Sequence, residues 1–342
     1  MKGVIRTALL SLLLVTLSLG QTRRQRVVAI GDVHGEYNGF VAILQKTGLI
    51  DPSKHWAGGN AIFVQTGDFL DRGPQARAVM DLLMSLQKEA PRQSGRIIAL
   101  LGNHEVMNMY GDLRYTTNAD WASFAPDHPD TTDRKTDAAH PPGYFERCEA
   151  LDTDGVYGKW LRTLPAVARV NDSIFLHGGI APELSSLTVE KINETVASEI
   201  RSFDNAKHYM IEKKIAAPCS TLEELTAAAR SAVGKSKGKE ADTLKMFLNY
   251  PSWLTVAENG PLWFRGYAQW ADNKGMAEIE HLAQAFDVAR FVVGHTPQNI
   301  GTIRNRFNDR VYLIDTGMLS TYFIGGRASA LNIQDGKVTV IY

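Results

Sequence analysis

Three short apolar runs, at residues 27–30, 61–64 and 97–101, recur about 35 residues apart. Each is rich in Val, Ile or Leu and is cut short by glycine or a polar residue, which reads as a buried strand entering a tight loop. Between them, 37–45 carries Phe40, Val41, Ile43 and Leu44 at helical spacing, and 75–90 carries Val79, Leu82, Leu83 and Leu86 before Pro91. Strand, loop and helix repeated in this way predict right-handed crossovers and a mostly parallel sheet. The polar groups at the strand ends then gather along one edge.

Those ends are Gly31-Asp32-Val33-His34-Gly35, Gly67-Asp68-Phe69-Leu70-Asp71-Arg72-Gly73 and Gly102-Asn103-His104-Glu105. Two later apolar runs, at 173–176 and 291–293, close on His177-Gly178-Gly179 and Gly294-His295. Carboxylate, amide and imidazole are ligands for divalent metals, and the glycines let the backbone turn sharply beneath them. One such loop is a common polar turn, but five make a metal centre. Asp32, His34 and Asp68 are expected to hold one ion, and Asp68, Asn103, His177 and His295 the other. Asp68 bridges, because a carboxylate has two oxygens to give. Two ions roughly 3.5–4 Å apart can clamp a phosphoryl group and the attacking oxygen together. His55, His128, His140, His208 and His281 lack the strand-and-glycine context and are read as surface or structural.

These motifs, with Arg265-Gly266, resemble the signature of phosphoprotein phosphatases within the calcineurin-like metallophosphoesterases. They span residues 31–296. Met107-Asn108-Met109-Tyr110-Gly111-Asp112-Leu113-Arg114-Tyr115 and Trp263-Phe264-Arg265-Gly266-Tyr267 are similar to the Shewanella-like branch. The chain departs from the common eukaryotic serine/threonine phosphatases at Leu313-Ile314-Asp315-Thr316-Gly317, where those carry a Tyr-Cys loop that contributes to toxin binding. The resemblance therefore implies weak toxin sensitivity.

It also implies an α/β fold of two mixed sheets packed as a sandwich and flanked by helices. The implied reaction is hydrolysis of phosphomonoesters on proteins, by direct attack of a hydroxide bridging two metal ions. His104 is the implied general acid, and Asp71 orients it. Arg72 and Arg265 grip the phosphate, with Asn103 also on the substrate side. Glu105 is left as a supporting residue, and Asp315 as a turn or an outer hydrogen-bond partner. Manganese, iron and zinc all suit the mixed donor set. The same centre could serve diadenosine tetraphosphate or another small phosphoester. A non-catalytic binding module on this fold is a third possibility, but every ligand position is filled.

The remaining signals set the context. Lys2, Arg6 and the apolar stretch 8–19, ending in Ser18-Leu19-Gly20, have the layout of a signal peptide over 1–20. This predicts a secretory location (secreted, ER lumen or periplasm) and no membrane span once it is removed. Residues 21–342 are then one catalytic domain, with insertions at about 106–170 and 184–260 walling the groove. The formal charge is zero, from 37 basic and 37 acidic residues, so there is no basic excess for nucleic acid. A monomer is expected. Cys148 and Cys219 could pair or stay as buried thiols.

Overall fold

The computed structural model describes residues 24–125 and 137–342. The leader proposed at 1–20 and His128 lie outside them. Among the described residues, ten strands form two five-stranded sheets. In the first, β1 (Val27–Ile30), β2 (Ile62–Gln65) and β3 (Arg96–Ala99) run parallel. The antiparallel pair β9 (Ala330–Gln334) and β10 (Lys337–Ile341) completes it on the β1 side. The second sheet has the order β4 (Val167–Val170), β5 (Ser173–Leu176), β6 (Arg290–Val293), β8 (Val311–Leu313), β7 (Arg304–Arg306). Here β5, β6 and β8 are parallel.

Side-chain alternation builds two cores from the same strands. Val27, Ala29, Ile62 and Val64 of the first sheet pack on Phe175, Val292 and Ile314 of the second or its edge. Val28, Ile30 and Phe63 face the other way, under α1 (Tyr37–Lys46) and α2 (Ala76–Glu89). This is the expected α/β sandwich. Two strands, β4 and β7, are not foreseen from the sequence. Arg304-Asn305-Arg306 has no apolar alternation, and β4 holds only four residues with Arg169 among them.

The first insertion holds α3 (Asn103–Tyr110), α4 (Asn118–Ala122), α5 (Tyr144–Leu151) and α6 (Val156–Leu161). The second holds α7 (Val189–Glu212), α8 (Leu222–Val233) and α9 (Lys239–Leu248). The α7 helix runs on to Glu212 because Ala206 and Met210 continue the buried stripe of Ile192, Val196, Ile200 and Phe203. Tyr110 of α3 stacks on Phe203 at 3.9 Å between ring centroids, docking the second insertion on the first. The chain then passes through α10 (Gly266–Gln269) and α11 (Asp272–Ala285) to β6. Among the described residues, no helix is long and apolar enough to cross a membrane.

Cys148 of α5 is bridged to Cys219, just before α8, across 71 residues of sequence. Closing a loop of that length restricts the unfolded chain by about 4 kcal/mol. The paired variant Cys148→Ser/Cys219→Ser is therefore expected to unfold several degrees lower in a thermal scan without reductant. An unchanged midpoint would show that the bridge does not form in solution.

Candidate metal centre and active site

The parallel strands deliver their loops to one edge, and the five sequence-singled loops meet there. Two triads of potential ligand atoms, His34/Asp68/His104 and Asp68/His177/His295, each lie within 4.8 Å of one another, and all are buried. Asp68 belongs to both. Asp32 reaches the cluster differently: its Oδ1 accepts the His295 amide at 3.0 Å, and its Oδ2 lies 3.9 Å from His34 Nε2. Gly102 and Gly294 permit this crowding. A Cβ on Gly102 would sit 2.3 Å from Asp68 Oδ1, and one on Gly294 2.3 Å from Asp32 Oδ1.

The donor set fits cations. Three histidines each spend a ring N–H on a backbone carbonyl: His34 Nδ1 on Leu70 (2.9 Å), His177 Nδ1 on Thr66 (3.0 Å) and His295 Nε2 on Trp263 (3.1 Å). That pattern orients metal-binding imidazoles and leaves the other nitrogen as a bare lone pair. His177 Nε2 then faces Asn103 Oδ1 at 2.9 Å, Asp68 Oδ2 at 3.2 Å and His295 Nδ1 at 3.1 Å, acceptors all. Acceptors converge in this way around a positive charge. Burial pushes the His34 imidazole down to about 3, more than the Asp68 charge pulls it up. Burial, with His177 and Arg265 alongside, holds His295 well below 6.5. Both are thus neutral, the form that binds metal.

The carboxylates agree. Burial, then the charges of Asp315 and Asp68, push Asp32 well above the usual range. Burial foremost pushes Asp315 up to about 6. Bound cations would relieve that repulsion. Asp315 is thus more than a turn residue: its Oδ1 does cap the turn at the Gly317 amide (3.0 Å), but it also lies against Asp32.

His104 has a different partner. Its Nδ1 lies 2.7 Å from Asp71 Oδ2, and the same oxygen accepts from Asn108 Nδ2 at 2.9 Å. Burial lowers the imidazole pKa, but the Asp68 and Asp71 carboxylates outweigh it and the net shift is upward. Arg72 and Arg265 stand at the rim. The Arg72 guanidinium hydrogen-bonds His34 Nε2 and lies against the rings of Tyr322 (4.8 Å), Tyr115 (5.4 Å) and Phe323 (5.7 Å). Arg265 donates to His295 O (2.9 Å) and Thr296 Oγ1 (3.1 Å). Its turn is held by buried Arg306, which donates to the carbonyls of Tyr267, Ala268 and Trp270.

Glu105 has a role the sequence did not reveal. Its carboxylate accepts four backbone amides: Asp68 and Gly102 at 2.7 Å, Phe69 at 3.0 Å and Leu70 at 3.1 Å. Burial foremost, then the Asp68 charge, raise its pKa to about 8 against the pull of the amides, but the surrounding geometry argues for the charged form. Four donors leave no acceptor for a carboxyl proton, so the group is ionised. Its task is conformational. His34, Asp68, Asp71, Arg72 and His295 all have positive φ, between 46° and 66°. Non-glycine residues resist this region by about 1–2 kcal/mol each. Glu105→Gln would turn an NH₂ toward two amide donors. We expect a loss of about 2–4 kcal/mol in urea unfolding and weaker metal retention; wild-type stability would mean that the carboxyl is protonated.

A two-sheet sandwich carrying such a centre at the strand ends defines a metal-dependent phosphoesterase. The pattern of the family described as Calcineurin-like phosphoesterase matches residues 25–299, and the chain belongs to that family. Within it the chain sits in the Shewanella-like protein phosphatase branch and is a phosphatase. Shewanella-like protein phosphatase 2 of Arabidopsis thaliana is 31% identical over 86% of this chain and 71% of its own. A symmetrical bis(5'-nucleosyl)-tetraphosphatase of Neisseria meningitidis is 25% identical over 92% of this chain and 94% of its own. The crystal structure of a cold-active protein-tyrosine phosphatase from a psychrophilic Shewanella species superposes with a TM-score of 0.64. It is 25% identical and covers 93% of this chain and 77% of its own.

Proposed function

We propose that this enzyme dephosphorylates proteins, with phosphotyrosine as its preferred substrate. The observation that carries this reading is the aromatic frame of Tyr115, Tyr322 and Phe323 around Arg72. A phenyl ring leaving the phosphate would lie along these side chains. The likeness to the Shewanella protein-tyrosine phosphatase supports the same substrate.

Asp32, His34 and Asp68 would hold one metal, and Asp68, Asn103, His177 and His295 the other. When bound, the pair neutralises phosphoryl oxygens and activates water. Arg72 and Arg265 orient the phosphate and offset its charge. His104 gives a proton from Nε2 to the leaving oxygen, and Asp71 keeps the ring in the required tautomer. The donors suit manganese, iron or zinc, and reconstitution with each decides among them.

The test is turnover of phosphotyrosine, phosphoserine and phosphothreonine peptides beside diadenosine tetraphosphate. Phosphotyrosine peptide is expected to lead. Tyr322→Ala should lower its kcat/KM about tenfold, the worth of one aromatic contact, with little effect on phosphoserine peptide. Phosphopeptide turnover a hundredfold below that of the nucleotide would sink the protein-phosphatase reading. We further propose a secretory-pathway monomer, a location consistent with the Cys148–Cys219 bridge. The N-terminal sequence of exported protein and light scattering test this.

A further inference from the structure

Behind the catalytic pair lies a second set of charges. Arg147 of α5 is 1% exposed and Asp120 of α4 is fully buried. Arg147 Nε donates to Asp120 Oδ2 at 2.8 Å, and its Nη2 lies 3.8 Å from Asp71 Oδ1. Among the described residues, that Nη2 and Asp120 Oδ1 have no hydrogen-bond partner. The guanidinium is packed on the rings of Trp121 (4.9 Å) and Phe124 (5.7 Å), which fix its plane. Asp71 is itself fully buried; among the described residues its Oδ1 accepts from Thr116 Oγ1 alone, at 3.0 Å, while Oδ2 serves His104 and Asn108.

A carboxylate so deep in the protein requires a cation nearby. For Asp71 two cations are at hand, the His104 imidazolium and Arg147. Only Arg147 stays charged after His104 has given up its proton. We propose that Arg147, braced by Asp120, is a positioning residue for catalysis: it holds the Asp71 carboxylate in place so that His104 remains aimed at the leaving oxygen through turnover. This rests on the phosphatase reading with His104 as acid. It gives the first insertion a part in the chemistry as well as in walling the groove.

Leaving-group dependence separates positioning from general support. Phenyl phosphate needs a proton on its leaving oxygen, whereas dinitrophenyl phosphate departs without one. Arg147→Met is expected to lower kcat on phenyl phosphate by about tenfold to a hundredfold, part of the worth of a general acid, with KM and metal content unchanged. On dinitrophenyl phosphate the loss should stay within about threefold, because acid catalysis is then dispensable. The phenyl phosphate effect should vanish in a His104→Asn background and be largely recovered in Arg147→Lys. If Arg147→Met fails to fold, Asp120→Asn/Arg147→Met removes the charges as a pair and is read the same way. Equal losses on both substrates, or losses that multiply with those of His104→Asn, would overturn the proposal. Wild-type turnover of phenyl phosphate by His104→Asn alone would instead overturn the phosphatase mechanism on which it rests.

Discussion

Asp68→Asn is expected to remove turnover and strip the protein of metal. Asp68 is the residue shared by both ligand triads, and its Oδ2 lies 3.2 Å from His177 Nε2 and 3.6 Å from His34 Nε2. The amide keeps the shape but loses the charge, and it presents an NH₂ where Oδ2 faced His177 and His34. Losing even an outer hydrogen-bond partner of a metal ligand weakens binding about 10–100-fold, so losing the shared ligand costs more than a hundredfold. Elemental analysis after dialysis and turnover with metal in excess check the two halves separately. The isosteric replacement leaves the carbonyl side free to accept the His104 amide, now at 3.0 Å. The fold should therefore survive, and full metal content would refute the assigned role.

The second large effect falls on chemistry alone. His104→Asn is expected to lower kcat by about 10²–10⁴-fold while both metals remain bound, since a positioned general acid contributes on that scale. The pH profile carries the sign. Asp68 and Asp71 raise the His104 pKa above 6.5 in spite of burial. The acid form is therefore held to higher pH than in a free imidazole, and kcat should fall on the alkaline side as it is lost. Metals at Asp68 would mask one of the two carboxylates, leaving the Asp71 hydrogen bond as the main upward influence. Asp71→Asn should then move the alkaline limb to lower pH. The same raised pKa means that the pairing contributes stability below the unfolded-state value and loses it as pH rises through the folded one. An unmoved limb in Asp71→Asn would detach Asp71 from the acid step.

The ligand loops were legible because each follows a strand directly, and strand ends in such folds converge without help from distant sequence. Asp32, His34, Asp68, Asn103, His177 and His295 could all be read as candidate ligands for this reason. Arg147 and Asp120 were not. They sit on short helices of an insertion, and only tertiary packing brings them behind Asp71. Glu105 was visible as a residue but not as the acceptor of four amides, because nothing in Asn103-His104-Glu105 says where the β2 loop will pass. The aromatic frame joins residue 115 to residues 322 and 323, a separation no local pattern spans. Edge strands β4 and β7 escaped because their pairing, not their composition, makes them strands.

The seam between the sheets has a mechanical side. One sheet supplies Asp32, His34, Asp68 and Asn103, and the other supplies His177 and His295. The cation held by Asp68, Asn103, His177 and His295 would be gripped from both sides and act as a rivet through the sandwich. Heat tolerance then follows trace-metal supply: each tenfold rise in free metal above Kd adds about 1.4 kcal/mol per site. Scarcity would withdraw the catalyst and soften the framework in the same act, so a metal-starved compartment could retire this enzyme without any dedicated inhibitor.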